Sequence, residues 1–489
     1  MQIQENDRVT QASDAQSNPI QQLRKAMGFW DVLLFNIATV LGPRWIAAAA
    51  HNGTSSISLW VLAAIFFFVP TAFVITELST RFPHEGGLYV WSKEAFGDFH
   101  GFVAGWTYWI YSFFYFPGLL LASAAMGAYI GGSSWGHLAT SRYFLLGGSF
   151  FLLFVAVSMN IVGLNIGKWL QNAGGVMTYI PLLLLVATGG AIWLRYGSAT
   201  HFTWVNMMPR WNWETVNFWP QILFAFAGLE LVSAMSDEIR DAQRTLARAI
   251  WGSGILIAVI YIAGTFAVLT IMQAAPVDPK SGVYQALAIG TEALKIGLVG
   301  MIAAFLVTFG NAGGVGTTVA GLSRVPFIVG VDRYLPAAFG KLHPKWRTPY
   351  VAILVQAGIS LALLLLSNIN ETTSGAYQIL VDAATILYFI PFLYMYAAAI
   401  KLAGRKDRGA NEHAVLIPGG KIGVWIAGGF GFLITLGGIV LSFVPPGESE
   451  NKLVFSVKLV SGTVIAVALG LVLYYRGVRA KAREVVAGN

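Results

Sequence analysis

The chain of 489 residues is 56% hydrophobic and only 11% charged, and its apolar runs are too long and too many for a soluble core, so it reads as a polytopic membrane protein. The net charge of +8 does not point to nucleic acid, because the Lys and Arg are scattered through short loops instead of gathered on one face. The absence of cysteine excludes disulfides, thiolate metal ligands and thiol catalysis.

About twelve stretches are long enough to span a bilayer. In chain order the predicted spans 1 to 12 cover 29–50, 57–82, 99–131, 143–164, 169–195, 217–237, 247–273, 298–327, 350–367, 375–402, 421–444 and 453–475. The first follows a polar tail, 1–28, and lacks the short apolar core and small-residue cleavage site of a removable signal, which predicts that it is retained.

Span 1 is interrupted at Gly42-Pro43-Arg44-Trp45 and span 6 at Gly228-Leu229-Glu230, each with a charge beside the break. Proline lacks an amide hydrogen and glycine a side chain, so each break frees backbone groups that hydrocarbon cannot satisfy and a buried ligand can. Matching interruptions in two halves of a chain point to a secondary-transporter site near the midplane. Spans 1 to 5 (29–196) and 6 to 10 (197–402) form two sets of odd number, which predicts an inverted repeat. Spans 11 and 12 (403–476) and a tail (477–489) lie outside it.

With the N-terminus inside, the inner loops collect Arg240, Arg244 and Arg248; Arg324, Arg333, Lys341, Lys345 and Arg347; and Lys401, Arg405, Lys406 and Arg408. That bias predicts both termini in the cytoplasm, with the clusters serving as orientation signals and lipid headgroup contacts. Trp30, Trp60, Trp211, Trp219, Tyr474 and Tyr475 at span ends fit an interfacial belt. The seven His show no H-x-x-x-H spacing, and neither a phosphate-cradling loop nor a nucleophile elbow is present. No enzyme, metal or cofactor is predicted.

Several segments resemble the amino acid, polyamine and organocation (APC) transporter superfamily across essentially the whole chain. They are Phe224-Ala225-Phe226-Ala227-Gly228-Leu229-Glu230 with Glu238 and Arg244 to Ile250; Gly321-Leu322-Ser323-Arg324 through Leu335-Pro336 to Arg347-Thr348-Pro349; and Glu85-Gly86-Gly87-Leu88-Tyr89-Val90-Trp91. Ile417-Pro418-Gly419-Gly420-Lys421 and Ser442-Phe443-Val444-Pro445-Pro446 are similar to the bacterial glutamate/GABA antiporter branch. The resemblance implies an all-α fold of the LeuT type, a five-plus-five repeat with two further helices, in the cytoplasmic membrane. It also implies secondary amino acid transport by alternating access, as an antiporter or permease.

The family's first helix is opened by small residues whose free amides receive a substrate carboxylate. Gly42 matches the first of them, while Pro43 and Arg44 replace the next two, so an amide donor is lost and a guanidinium arrives. Arg44 is predicted to hold a carboxylate with two charge-assisted hydrogen bonds or to gate access; the alternative is permanent pairing with a carboxylate such as Glu77 or Glu230, or snorkelling toward an aqueous vestibule. Thr39, Gly42, Pro43, Trp45, Ala227, Gly228 and Tyr111 are the accompanying site residues, Tyr111 sharing a helix face with Tyr108 and Tyr115. By the family pattern Phe226 is a lid over the substrate, the alternative being a core aromatic. Glu230 receives an ammonium, carries a proton, or links the two broken helices. Thr178 falls near a lysine position that replaces sodium in relatives, and Thr317 and Thr318 offer oxygens to sodium or, as the favoured alternative, bond a neighbouring helix or the preceding turn. Asp382, with Tyr388 further along, touches an outer vestibule or, as the favoured alternative, is hydrated or caps its helix, and Glu238 with Arg324 forms an inner gate or, by default, ordinary loop charges. Arg44 favours glutamate, GABA or neutral amino acids. The runner-up is a proton-coupled carrier of polyamines or cationic amino acids, and an amino acid sensor or a channel is the alternative of another class. The predicted partners are a small amino acid, membrane lipids and a coupling proton or sodium ion.

Overall fold

The structure, a computed structural model, describes residues 26–83, 86–162, 164–209, 212–331, 334–367, 373–405, 414–445 and 452–487. Glu85, Trp211, Arg333, Lys406, Arg408, Pro446, residues 1–25 of the first predicted tail and 488–489 of the second lie outside them. Among the described residues the fold is all-helical, relieved by one isolated parallel bridge between Met27 and Ile239.

Span 1 is two helices, α1 (Phe29–Val40) and α2 (Pro43–His51). Span 2 runs as α3 (Ser55–Ala63) and α4 (Val69–Arg81) through a π-helical turn, Ala64–Phe68. That turn precedes Pro70, whose missing amide hydrogen prevents a regular α ladder there. After α5 (Leu88–Phe96), spans 3, 4 and 5 are α6 (Asp98–Gly127), α7 (Arg142–Val162) and α8 (Leu164–Tyr196). The short α9 (Trp204–Met207) leads to span 6, which is α10 (Trp213–Ala225), a gap, and a 3₁₀ segment Leu231–Glu238. Span 7 is α11 (Ala242–Ile271), followed by the short helix α12 (Gly282–Ala293). Spans 8 to 12 are α13 (Gly297–Val331), α14 (Tyr350–Ser367), α15 (Thr373–Leu402), α16 (Gly420–Ser442) and α17 (Lys452–Ala487).

Ten helical segments among the described residues are long and apolar enough to cross a membrane. The shorter apolar helix Tyr350–Leu366 and the split span 6 account for the remaining predicted spans. The apolar window of span 1 is 83% buried, against 33% for span 11 and 22% for span 12. The broken helix therefore sits at the centre and the last two helices at the rim.

That central position depends on small residues. A Cβ on Gly175 of α8 would stand 2.7 Å from the Leu34 carbonyl oxygen, and one on Gly314 of α13 2.6 Å from that of Ala38. The α1 backbone is thus clasped between α8 and α13, the mode by which membrane helices gain packing without a hydrophobic driving force. On the other side α15 packs along α6 and α16.

Candidate functional site

At the first break Leu41 and Gly42 are extended, and Pro43 opens α2 in its first position, where no amide hydrogen is required. At the second, Gly228 takes φ +121°, a conformation open to glycine, between α10 and the 3₁₀ segment. Tyr261 from another helix and Glu230 from the second break itself satisfy backbone groups that these breaks expose.

Tyr261, in the middle of α11, reaches both. Its hydroxyl lies 2.7 Å from the Val40 carbonyl and 3.1 Å from that of Ala225, and it accepts the Gly42 amide at 3.2 Å. One phenol therefore ties the end of α1, the start of α2 and the end of α10. Its ring stacks on Trp60 at 4.5 Å, and the Trp60 indole donates to Thr265 at 3.0 Å.

Glu230 is 1% exposed. Its Oε2 accepts the Gly228 amide at 3.1 Å, while Oε1 accepts the hydroxyls of Tyr108 at 2.8 Å and of Tyr388. The carboxylate caps the break locally and links it to α6 and α15. The link runs from span 6 to α6 and α15, not to span 1.

Between the breaks lies a cavity of about 10 Å³, room for roughly one water. Its walls are Thr39, Val40 and Trp45 from span 1, Phe224, Ala227 and Gly228 from span 6, Tyr111 and Tyr115 from α6, Thr318 from α13 and Tyr388 from α15.

Arg44 stands beside it, 1% exposed, its guanidinium 4.3 Å from the Trp45 ring centroid and 4.7 Å from that of Tyr115, two residues of the cavity wall. Nε, Nη1 and Nη2 are all buried without a hydrogen-bond partner. The pairings predicted as alternatives are not made. Glu77 binds Arg81 at 3.2 Å and the Ile417 amide at 2.9 Å, and Glu230 is held as above. Ring stacking offsets about 0.5–2 kcal/mol per contact. A buried charge stripped of its partner costs about 3–5 kcal/mol. An anionic group delivered to the cavity would close that gap.

Other predicted residues sort by position. Thr39, Trp45, Tyr111, Ala227 and Gly228 line the cavity, whereas Gly42 and Pro43 shape the break behind it. Phe226, expected as a lid, is turned away into a cluster with Trp60, Phe68 and Tyr261 at 5.5, 5.8 and 5.7 Å. Phe224 is the span 6 aromatic that lines the cavity, edge-on to Trp45 at 5.6 Å and to Tyr388 at 5.1 Å. The correction has a simple cause: residues two apart on a helix face nearly opposite sides.

Thr317 and Thr318 donate to Gly313 and Gly314 of their own helix at 2.8 and 2.9 Å, so only their lone pairs remain for a cation. Thr178 is buried, with Gly310 as a close neighbour. Asp382 is buried and accepts from Gln378 at 3.0 Å. Glu238 and Arg324 meet at 2.9 Å, both almost fully buried, and the Glu238 carbonyl accepts the amides of Ala26 and Met27 at 2.9 and 3.1 Å. The inner pair is therefore a built contact and not an exposed loop pair. Sequence reasoning missed Tyr261; the available signal was a lone phenol in mid-span, which membrane burial obliges to find a partner.

Two interrupted helices meeting at a small aromatic cavity, within a bundle of membrane-length helices, are the arrangement of a membrane transporter. The crystal structure of MhsT in complex with L-phenylalanine has the same fold, with a TM-score of 0.62 at 12% identity over 84% of this chain and 97% of that one. A model described as amino acid permease matches residues 27–468, and the chain belongs to that family, within the APC superfamily. An uncharacterized transporter of Legionella pneumophila is 26% identical over 452 residues, 91% of this chain and 95% of the relative. The serine/threonine exchanger SteT of Bacillus subtilis is 28% identical over 404 residues, 78% and 85% of the two chains. Some other relatives are named for putrescine instead of amino acids.

Proposed function

We propose that this protein is a secondary amino acid carrier of the cytoplasmic membrane that exchanges carboxylate-bearing substrates by alternating access, with both termini in the cytoplasm. The observation that carries the reading is Arg44: a buried guanidinium with three unpartnered nitrogens, packed on two rings of the cavity wall. A planar fork of donors suits a carboxylate, and restores through a side chain the donor lost to Pro43. The substrate's apolar body then packs against Phe224, Tyr111 and Tyr388. A polyamine has no group for Arg44. The exchange mode has the support of the name of SteT, a serine/threonine exchanger.

The walls must part to admit an amino acid, since the cavity holds about 10 Å³. The Glu238–Arg324 pair, braced by the Ala26–Met27 backbone, is the inner gate that breaks as spans 1 and 6 rock. Thr318, on the cavity wall, and Thr178 and Thr317 are the positions to test for a coupling cation, and Glu230 for a proton.

The test is uptake of radiolabelled glutamate, GABA, serine, leucine, arginine and putrescine into proteoliposomes, with and without internal amino acids and with proton or sodium gradients. Uptake of carboxylate-bearing solutes that depends on internal amino acid supports the reading. Uptake of putrescine alone would overturn the substrate class, and no uptake of any kind would favour a sensor.

A further inference from the structure

Arg44 bears on how the carrier turns over as well as on what it binds. Four carboxylates are buried among the described residues: Glu77, Glu230, Glu238 and Asp382. Each has a partner elsewhere: Arg81, the phenols of Tyr108 and Tyr388, Arg324, and Gln378 respectively. None pairs with Arg44, whose guanidinium finds only the faces of Trp45 and Tyr115. The closed protein thus buries a cation for which it supplies no counter-charge, so the neutralising group has to come with the solute.

We propose that Arg44 makes passage between the two faces of the membrane conditional on a bound carboxylate. With a carboxylate on the guanidinium, the walls close over a neutral pair. Without one, closure strips water from an isolated charge, and the desolvation penalty falls on the solute-free crossing. A carrier that crosses only when loaded performs compulsory one-for-one exchange. This inference rests on the carrier reading above and explains why it would be an exchanger.

The test separates exchange from net movement. Proteoliposomes loaded with radiolabelled L-serine or L-glutamate are diluted into carboxylate-free buffer, with or without the same unlabelled amino acid outside. The native protein should release label at least a hundredfold faster into the amino acid than into plain buffer. Arg44→Gln, which keeps donors but no charge, should bring the two rates within a few-fold of each other, and Arg44→Lys should keep them apart. An undiminished gap in monodisperse Arg44→Gln would overturn the inference while leaving the carrier reading intact, and equal rates in the native protein would overturn the inference and the exchange mode while leaving amino acid carriage intact.

If neither amino acid moves in any arm, the carrier reading is in trouble, and the inference is then read without a solute. The chain has no native cysteine, so Ala227→Cys on the cavity wall is a single reporter. In carboxylate-free buffer its alkylation by an externally added maleimide should slow at least tenfold when Arg44→Gln is added, because the neutral variant closes unaided. An unchanged alkylation rate would overturn the inference on its own.

Discussion

Gly228 of the second break lies directly against Val40 at the end of the first: a Cβ at position 228 would stand 2.9 Å from Val40 Cγ2 and 3.4 Å from Thr39 Cγ2. The two interrupted helices touch through that missing side chain, and the contact sets the width of the cavity between them.

Gly228→Ala therefore meets two obstacles, a crowded contact and a φ of +121°. The backbone strain alone is of order 1–3 kcal/mol. The variant should unfold several degrees below the native protein in detergent, and transport should fall at least tenfold even where the protein inserts normally. Native-like melting and uptake would show that the breaks can move apart without loss.

Tyr261→Phe removes the hydroxyl shared by Gly42, Val40 and Ala225 while keeping the ring on Trp60. Buried backbone groups left without a partner cost about 1–3 kcal/mol. A lowered melting temperature and a reduced maximal rate are expected. An unaltered rate would mean that water replaces the phenol without consequence.

Phe224 and Phe226 should behave differently despite being two residues apart. Phe224→Leu alters the cavity wall and should shift apparent affinity and the ranking of substrates in competition assays, with modest change in stability. Phe226→Leu opens space beside Trp60, Phe68 and Tyr261, and should lower stability by about 1–3 kcal/mol with the ranking preserved. Reversed phenotypes would restore Phe226 as the lid.

For the inner pair, removing one partner leaves the other buried and charged. Arg324→Ala should destabilise by about 3–5 kcal/mol, and the double variant Arg324→Ala, Glu238→Gln by less, because no lone carboxylate remains. If the pair is the inner gate, a cysteine placed near it also becomes more reactive from the cytoplasmic side in both variants. Additive losses of stability would show that the two residues do not act as a pair.

The two glycines and the proline that interrupt spans 1 and 6 were legible because they act through the backbone, and a backbone that cannot close its own hydrogen bonds declares itself at the level of composition. Membrane class, helix content and the position of both breaks followed from such local facts, and Arg44 was conspicuous as a charge in an apolar run. Pairing was not legible. Sequence offered Glu77 and Glu230 as partners for Arg44, and only the packing of α4 against the segment leading into α16, and of α6 and α15 against span 6, shows that both are held elsewhere. The helix frame at the second break was equally hidden, since the rotation of α10 decides whether Phe224 or Phe226 faces the cavity. Tyr261 gains its role from three backbone groups on two other spans, 219, 221 and 36 residues away. A sequence by itself determines which groups are left unsatisfied. Which neighbours satisfy them depends on side chains brought together from distant spans, and that only the tertiary structure decides.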